Sequence, residues 1–235
     1  NIPFLGQYGA CSTMAQTLSL ASVLVDAGAA GRGLAVTSSH FCSAERQFRF
    51  PLEYGGQRTP TAQWTATASG AVVVGQSGDG PWVSAVTAGR IRDLGIKDAA
   101  NMGAGMAPAA GQTRFDFLTD TQTKPADYDL ILTGDLGLIG SSLMEEILRK
   151  DGIEIAPVHN DCGLMLYDRE KQDVHAGGSG CGCSGAVLCS VVLQRMSRKK
   201  LRNVLFIGTG ALMSTTSSQQ GESIPGIAHL VYLQA

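Results

Sequence analysis

The segment Tyr8-Gly9-Ala10-Cys11-Ser12-Thr13-Met14 puts a thiol where backbone groups can act on it. The apolar run Ile2–Leu5 leads in, and Gly6 and Gly9 permit a tight turn. Behind it, Leu18, Ala21, Ser22 and Val25 recur at i, i+3, i+4 and i+7, one narrow helix face. Cys11 is therefore expected on a strand-to-helix turn, at or just before the helix start. Free N–H groups and the positive end of the helix dipole meet at such a place. A thiol there ionises more readily and becomes a nucleophile. Two other uses stay open. The same turn binds an anion with no chemistry attached, and a cysteine often serves as a small buried hydrophobe.

Two further clusters carry reactive side chains. In Pro157-Val158-His159-Asn160-Asp161-Cys162-Gly163 a short strand feeds a polar turn, which places His159 at a strand's C-terminal end. Ligands of α/β proteins gather at such ends. His159 is there as a base or hydrogen-bond donor, or as a loop histidine bonded to nearby backbone. In Gly177-Gly178-Ser179-Gly180-Cys181-Gly182-Cys183 a glycine run precedes a helix. It allows close backbone approach, either to a ligand or of helix to sheet. It lacks the Lys of a phosphate-binding G-x-x-x-x-G-K-[ST] loop. Arg46, Arg49 and Arg58 are a basic run fit to clamp an anion or simply to face water. The cysteines, at 11, 42, 162, 181, 183 and 189, include no C-x-x-C pair, so no metal site is expected.

The pattern supplies an α/β scaffold for these groups. After the first helix, which runs to about Asp26, Leu34–Ser39 is a buried strand. His40–Pro60, with Phe50, Tyr54, Gly55 and Gly56, shows no period and is assigned to a long loop. Strands are expected at 64–74, 82–91, 128–135, 153–158, 203–207 and 226–233. Helices are expected at 141–150 and 184–196, with a poorly defined helix or loop at 98–112. The sheets are expected to be mixed and mostly parallel. The polar joint Gly75–Pro81 divides the chain into 1–75 and 76–235. Because Asn1 falls almost inside the key turn, earlier strands are expected to be missing.

With 44% hydrophobic and 16% charged residues, the chain can bury a large core without disulfide staples, so reduced thiols and an intracellular compartment are expected. The formal charge of -2 argues against a nucleic-acid surface. No apolar run approaches the ~20 residues of a membrane span.

In this order, the clusters resemble the thiolase-like superfamily of thiolases and β-ketoacyl synthases. Gly9-Ala10-Cys11-Ser12 is similar to its nucleophile turn, and His159–Gly163 to a segment carrying a catalytic His. Gly178–Ala186 is similar to the later segment that reads Gly-His-Thr-Leu-Gly-Ala-Ala-Gly-Ala in synthases, so Ser179 stands where the second catalytic His would be. The resemblance implies layered sheets and helices in two related halves, 1–75 being a partial N-terminal half and 76–235 a C-terminal half. It also implies a homodimer. An acyltransferase using Cys11 and His159 is one reading. Ser179 weakens it, because a hydroxyl cannot shuttle a proton near neutral pH as His does.

Four more segments resemble the stage V sporulation AD family of spore-forming bacteria: Thr37–Phe41, Glu45–Pro51, Pro60–Trp64 and Ser217–His229. That resemblance implies a non-catalytic protein that binds dipicolinic acid, free or as its calcium chelate, for uptake into the developing spore and release at germination. It implies work beside other SpoVA proteins, peripherally at the spore inner membrane, with no cofactor. The expected ligand-binding residues are Cys11, Ser38, His40, His159 and Ser179, with Cys11, His159 and Ser179 as vestiges of a catalytic set.

Overall fold

The computed structural model describes residues 2–49 and 58–235. Phe50, Pro51, Tyr54, Gly55 and Gly56 lie outside the described residues. In chain order the elements are α1 (Thr13–Asp26), β1 (Arg32–Ser39), β2 (Trp64–Thr65), β3 (Ala68–Gly75), β4 (Trp82–Thr87), α2 (Met102–Thr121), β5 (Leu130–Thr133) and α3 (Gly137–Lys150). There follow β6 (His159–Asp161), α4 (Cys162–Leu166), β7 (Gly178–Ser179), α5 (Cys181–Val187), α6 (Leu193–Ser197), β8 (Asn203–Ala211), α7 (Thr215–Gln219) and β9 (Gly226–Gln234). A short π-helical stretch, Leu188–Val192, joins α5 to α6.

The central sheet has the order β4-β9-β8-β5-β6. Its alternation is read directly from burial. Ile131, Leu205, Ile207 and Leu230 point to one face, where α2 and α3 pack with Met106, Ala110, Met144 and Leu148. Leu132, Val204, Phe206 and Val231 point to the other, against Met14 and Leu18 of α1 and Val187 of α5. Both faces are covered, which is why these strands are continuous apolar runs. A second layer, the antiparallel pair β1–β3, lies on the far side of α1 and α5. The expected "mostly parallel" character is corrected: β5–β8, β5–β6 and β2–β7 are parallel, but β1–β3, β4–β9 and β8–β9 are antiparallel.

Three other differences have physical causes. The expected loop or helix at 98–112 is the long helix α2, with Pro108 inside it. Its small residues blur the periodicity because they serve contact: a Cβ on Gly103 would meet Leu136 O at 2.5 Å. The strand expected at 153–158 lies instead at His159–Asp161, where the backbone pairs with β5. The run Ile2–Leu5, expected to enter the Cys11 turn as a strand, forms none, and Ile2, Phe4 and Leu5 are exposed, as is Tyr8 in the turn.

The layers touch at glycines. A Cβ on Gly70 of β3 would come within 2.5 Å of the Gly185 carbonyl in α5. Gly70→Ala should therefore cost roughly 1–3 kcal/mol as overpacking, whereas Gly31→Ala, with open space around it, should change stability by less than ~0.5 kcal/mol. Chemical denaturation of the two variants measures both, and equal midpoints would contradict this account of the layer contact.

Candidate functional site

The turn before α1 rests on β8. A Cβ on Gly208 would strike the Ala15 side chain at 2.6 Å, and one on Gly210 the Gly9 carbonyl at 2.5 Å. The two glycines let the turn lie flat on the strand. Ala10 takes a left-handed conformation, φ 49°, and Ser12 donates its N–H to Gly9 O at 3.0 Å. This presents Cys11 at the strand ends, partly open to solvent.

Opposite it lies Asp135, two residues past β5 and fully buried. Its Oδ2 accepts from Ser179 Oγ at 2.8 Å and from Gly180 N at 2.9 Å, and its Oδ1 accepts from Thr209 Oγ1 at 2.8 Å. Ser179 Oγ in turn accepts from Arg49 Nη2 at 2.8 Å. Arg49, 9% exposed, also donates from Nε to Thr65 Oγ1 at 2.6 Å and from Nη1 to Met102 Sδ at 3.4 Å. The parallel pair β2–β7 holds this in register, with Ala66 N donating to Ser179 O. Gln63 Nε2 bonds both Asp135 O and Gly178 O.

The expected acidic thiol is corrected. Burial pushes the Cys11 thiol well above its ordinary value, and the nearby Asp135 carboxylate adds to the effect more than Arg49 opposes it. Arg49 is lowered by burial, while Cys11 and Asp135 oppose that shift.

The five residues expected from sequence divide. Cys11 and Ser179 share the Asp135–Arg49 cluster. Ser38 and His40 line a neighbouring open cleft of about 570 Å³ with Ser39, Ser43, Glu45 and Thr67. Ser38 O accepts from Cys181 Sγ at 3.1 Å, which ties that cleft to the start of α5. His159 is on the other side of the sheet. It pairs with Ile131, and directly paired residues share a face, so its ring points to α3. There Nδ1 lies 2.7 Å from Glu145 Oε1 and Nε2 lies 3.1 Å from Thr133 Oγ1. The strand's C-terminal end is occupied by Asp161 instead. Asp135, Thr65 and Thr209 were not foreseen. Gly134-Asp135 at a strand's C-terminal end was the available signal. Among the described residues no cluster of three or more His, Cys, Asp or Glu side chains could hold a metal, and no helix is long and apolar enough to cross a membrane.

The layered sheets and the turn of Cys11 on β8 define a thiolase-like fold. Solved structures agree on this fold. OleA of Xanthomonas campestris, crystallised with lauric acid and lauroyl-CoA, aligns with a TM-score of 0.59 at 12% identity, over 95% of this chain and 64% of that one. The 3-oxoacyl-[acyl-carrier-protein] synthase III of Aquifex aeolicus VF5 aligns with a TM-score of 0.54 at 13% identity, over 97% and 65%. The family model of stage V sporulation protein AD (SpoVAD) matches residues 1–234, and the chain belongs to that family. The stage V sporulation protein AD of Bacillus subtilis (strain 168) is 49% identical over 233 residues, which are 99% of this chain and 69% of that protein. The chain thus spans about two thirds of the length of the proteins it matches.

Because its neutral form is favoured, Cys11 should react slowly with iodoacetamide at neutral pH. Its alkylation rate, followed by peptide mass spectrometry, should still be climbing above pH 9.0, the ordinary thiol value. A rate that levels off below that value would contradict the burial argument.

Proposed function

We propose that this chain binds dipicolinate, a flat aromatic dicarboxylate, and transfers no acyl group. The observation that carries the reading is Arg49. Its guanidinium is nearly buried and bonds a serine, a threonine and a thioether, and among the described residues no carboxylate lies within ion-pair distance of it. A guanidinium has five N–H donors, so one on each Nη remains for a ligand carboxylate. Phe41 and Trp64, stacked with centroids 4.2 Å apart, line the same slot as Arg49, together with Arg58, Gln63 and Met102. The slot encloses only about 10 Å³, so a planar ligand requires the segment carrying Phe41 and Phe48 to move aside.

Acyl transfer lacks its parts. The thiol is held neutral, a serine stands where a proton-shuttling His would be needed, and His159 faces α3. Loss of general acid–base help alone removes ~10²–10⁴ in rate. Membership in a stage V sporulation family supports dipicolinate as the dicarboxylate. On this reading the protein serves dipicolinate uptake into the forming spore and release at germination, together with other SpoVA proteins at the inner membrane.

Calorimetry with dipicolinate tests the binding. Arg49→Met should weaken it roughly tenfold to a hundredfold, the worth of a charge-assisted bond. Cys11→Ala should cost less than ~1 kcal/mol, since a neutral thiol supplies at most one weak bond. Incubation with acyl-CoA should leave the intact mass unchanged. An acyl adduct on the wild type that disappears in Cys11→Ala would establish the acyltransferase instead.

A further inference from the structure

The binding chemistry above leaves unused a file of side chains that runs from beneath the site to the surface. Register puts Thr133 of β5 and His159 and Asp161 of β6 on the α3 face of the sheet. Asp161 is fully buried, the His159 side chain is 2% exposed, and Glu145 on α3 is 28% exposed. Thr133 Oγ1 lies 2.6 Å from Asp161 Oδ2 and 3.1 Å from His159 Nε2, and His159 Nδ1 lies 2.7 Å from Glu145 Oε1. The hydroxyl's other contact, Asn160 O at 3.3 Å, is the longest of its three.

A hydroxyl has one proton to donate, and a carboxylate only accepts. The Glu145 contact therefore fixes a proton on Nδ1. If Thr133 donates to Asp161, Nε2 must donate to Oγ1, and His159 is an imidazolium. If Thr133 donates to Nε2, His159 is neutral, and Asp161 must carry the proton that reaches Oγ1. Both arrangements satisfy the Asp161, His159 and Glu145 contacts and leave only the longest, to Asn160 O, without a proton, and they hold the same number of protons. With that proton absent, two acceptors face each other inside the protein, an unpaired arrangement that buried polar groups avoid.

We propose that Thr133 is a proton relay that holds one proton between Asp161 and His159 and so sets the charge beside Asp135, beneath the anion site. In the forward step the Asp161 O–H bond breaks, its proton passes to Thr133 Oγ1, and the Thr133 proton passes to His159 Nε2. A carboxylic acid and an imidazole become a carboxylate and an imidazolium, with the hydroxyl restored.

The charged and titratable groups around the pair are Asp135 beyond β5, Glu145 on α3, Cys162 on α4 and Cys183 on α5. Asp161 also accepts from the N–H groups of Leu136, Gly137 and Gly163. Burial nevertheless pushes Asp161 up, to about 6, and pulls His159 down, which favours the proton on Asp161. Below about pH 6 Asp161 is then neutral, and as pH rises past that value it ionises beside Asp135. The link to an anion at Arg49 rests on the dicarboxylate reading, whereas the relay needs no ligand.

The test follows the His159 ring nitrogens and the Asp161 carboxyl carbon by NMR from about pH 4 to about pH 8, the span of histidine and raised-carboxylate titration. It uses ligand-free wild type, Thr133→Val and Glu145→Gln. In the wild type both residues should inflect at one shared midpoint. Thr133→Val should separate the two midpoints. Glu145→Gln, at a partly exposed position, should shrink the His159 response by removing the charge that stabilises the imidazolium. Separate midpoints in the wild type, or a shared midpoint that survives Thr133→Val, would overturn the relay. If Thr133→Val does not fold, a His159 response unchanged in Glu145→Gln overturns it equally. A shared midpoint in a protein that fails to bind dipicolinate in calorimetry would uphold the relay and remove only the ligand.

Discussion

Asp135 is fully buried, and three other parts of the chain meet on it. Ser179 and Gly180 reach it from the glycine-rich turn, Thr209 from β8, and Gln63 bonds its carbonyl from the segment before β2. Each donor is buried, so none has water as an alternative partner, and each bond lost leaves an unsatisfied group costing about 1–3 kcal/mol. The carboxylate therefore fixes where the Gly-rich turn lies relative to the sheet. It fixes the hydroxyl of Ser179, which must point its proton at Asp135 because Arg49 already donates to its oxygen. Arg49 is placed in turn, and the long segment that carries it is tied down at that point.

The rest of the architecture permits this convergence by thinning the backbone contacts. Gly208 and Gly210 let the Cys11 turn touch β8, Gly70 and Gly185 let α5 touch β3, and Gly103 and Gly140 let α2 touch α3. At each pair a single Cβ would push a layer outward by a few tenths of an ångström or more. A 2.8 Å hydrogen bond in the site does not tolerate that displacement. The abundance of glycine is thus a condition of the site's geometry as well as of its turns.

Burial first, and this carboxylate second, decide what the thiol can do. A cysteine before a helix usually gains acidity, but here burial and Asp135 act the other way and dominate. Among the described residues neither Asp135 nor Arg49 has an ion-pair partner, and Arg49 bonds only neutral groups. The anion reading proposed above rests on that neutral thiol and on the N–H groups Arg49 has to spare. The solved structures of this fold, at 11–14% identity, show the fold alone.

The sequence alone determined what depends on neighbours along the chain. The helix after Cys11 was legible because Leu18, Ala21 and Val25 are one face at helical spacing, and all three are buried. The strands β8 and β9 were legible as apolar runs, and the α/β alternation followed. Motif order was enough to expect the thiolase-like fold and the sporulation family. Tertiary structure decided what depends on register and on distant partners. His159 and Cys11 read as one constellation in sequence, yet a strand boundary displaced by a few residues, and a pairing that puts His159 opposite Ile131, place them on opposite faces of one sheet. Asp135 gave no signal beyond its position after a strand, because these partners all lie at least 44 residues away along the chain. The acidity of Cys11 is set the same way: the helix start is local, but the burial and the carboxylate that outweigh it are brought by the fold.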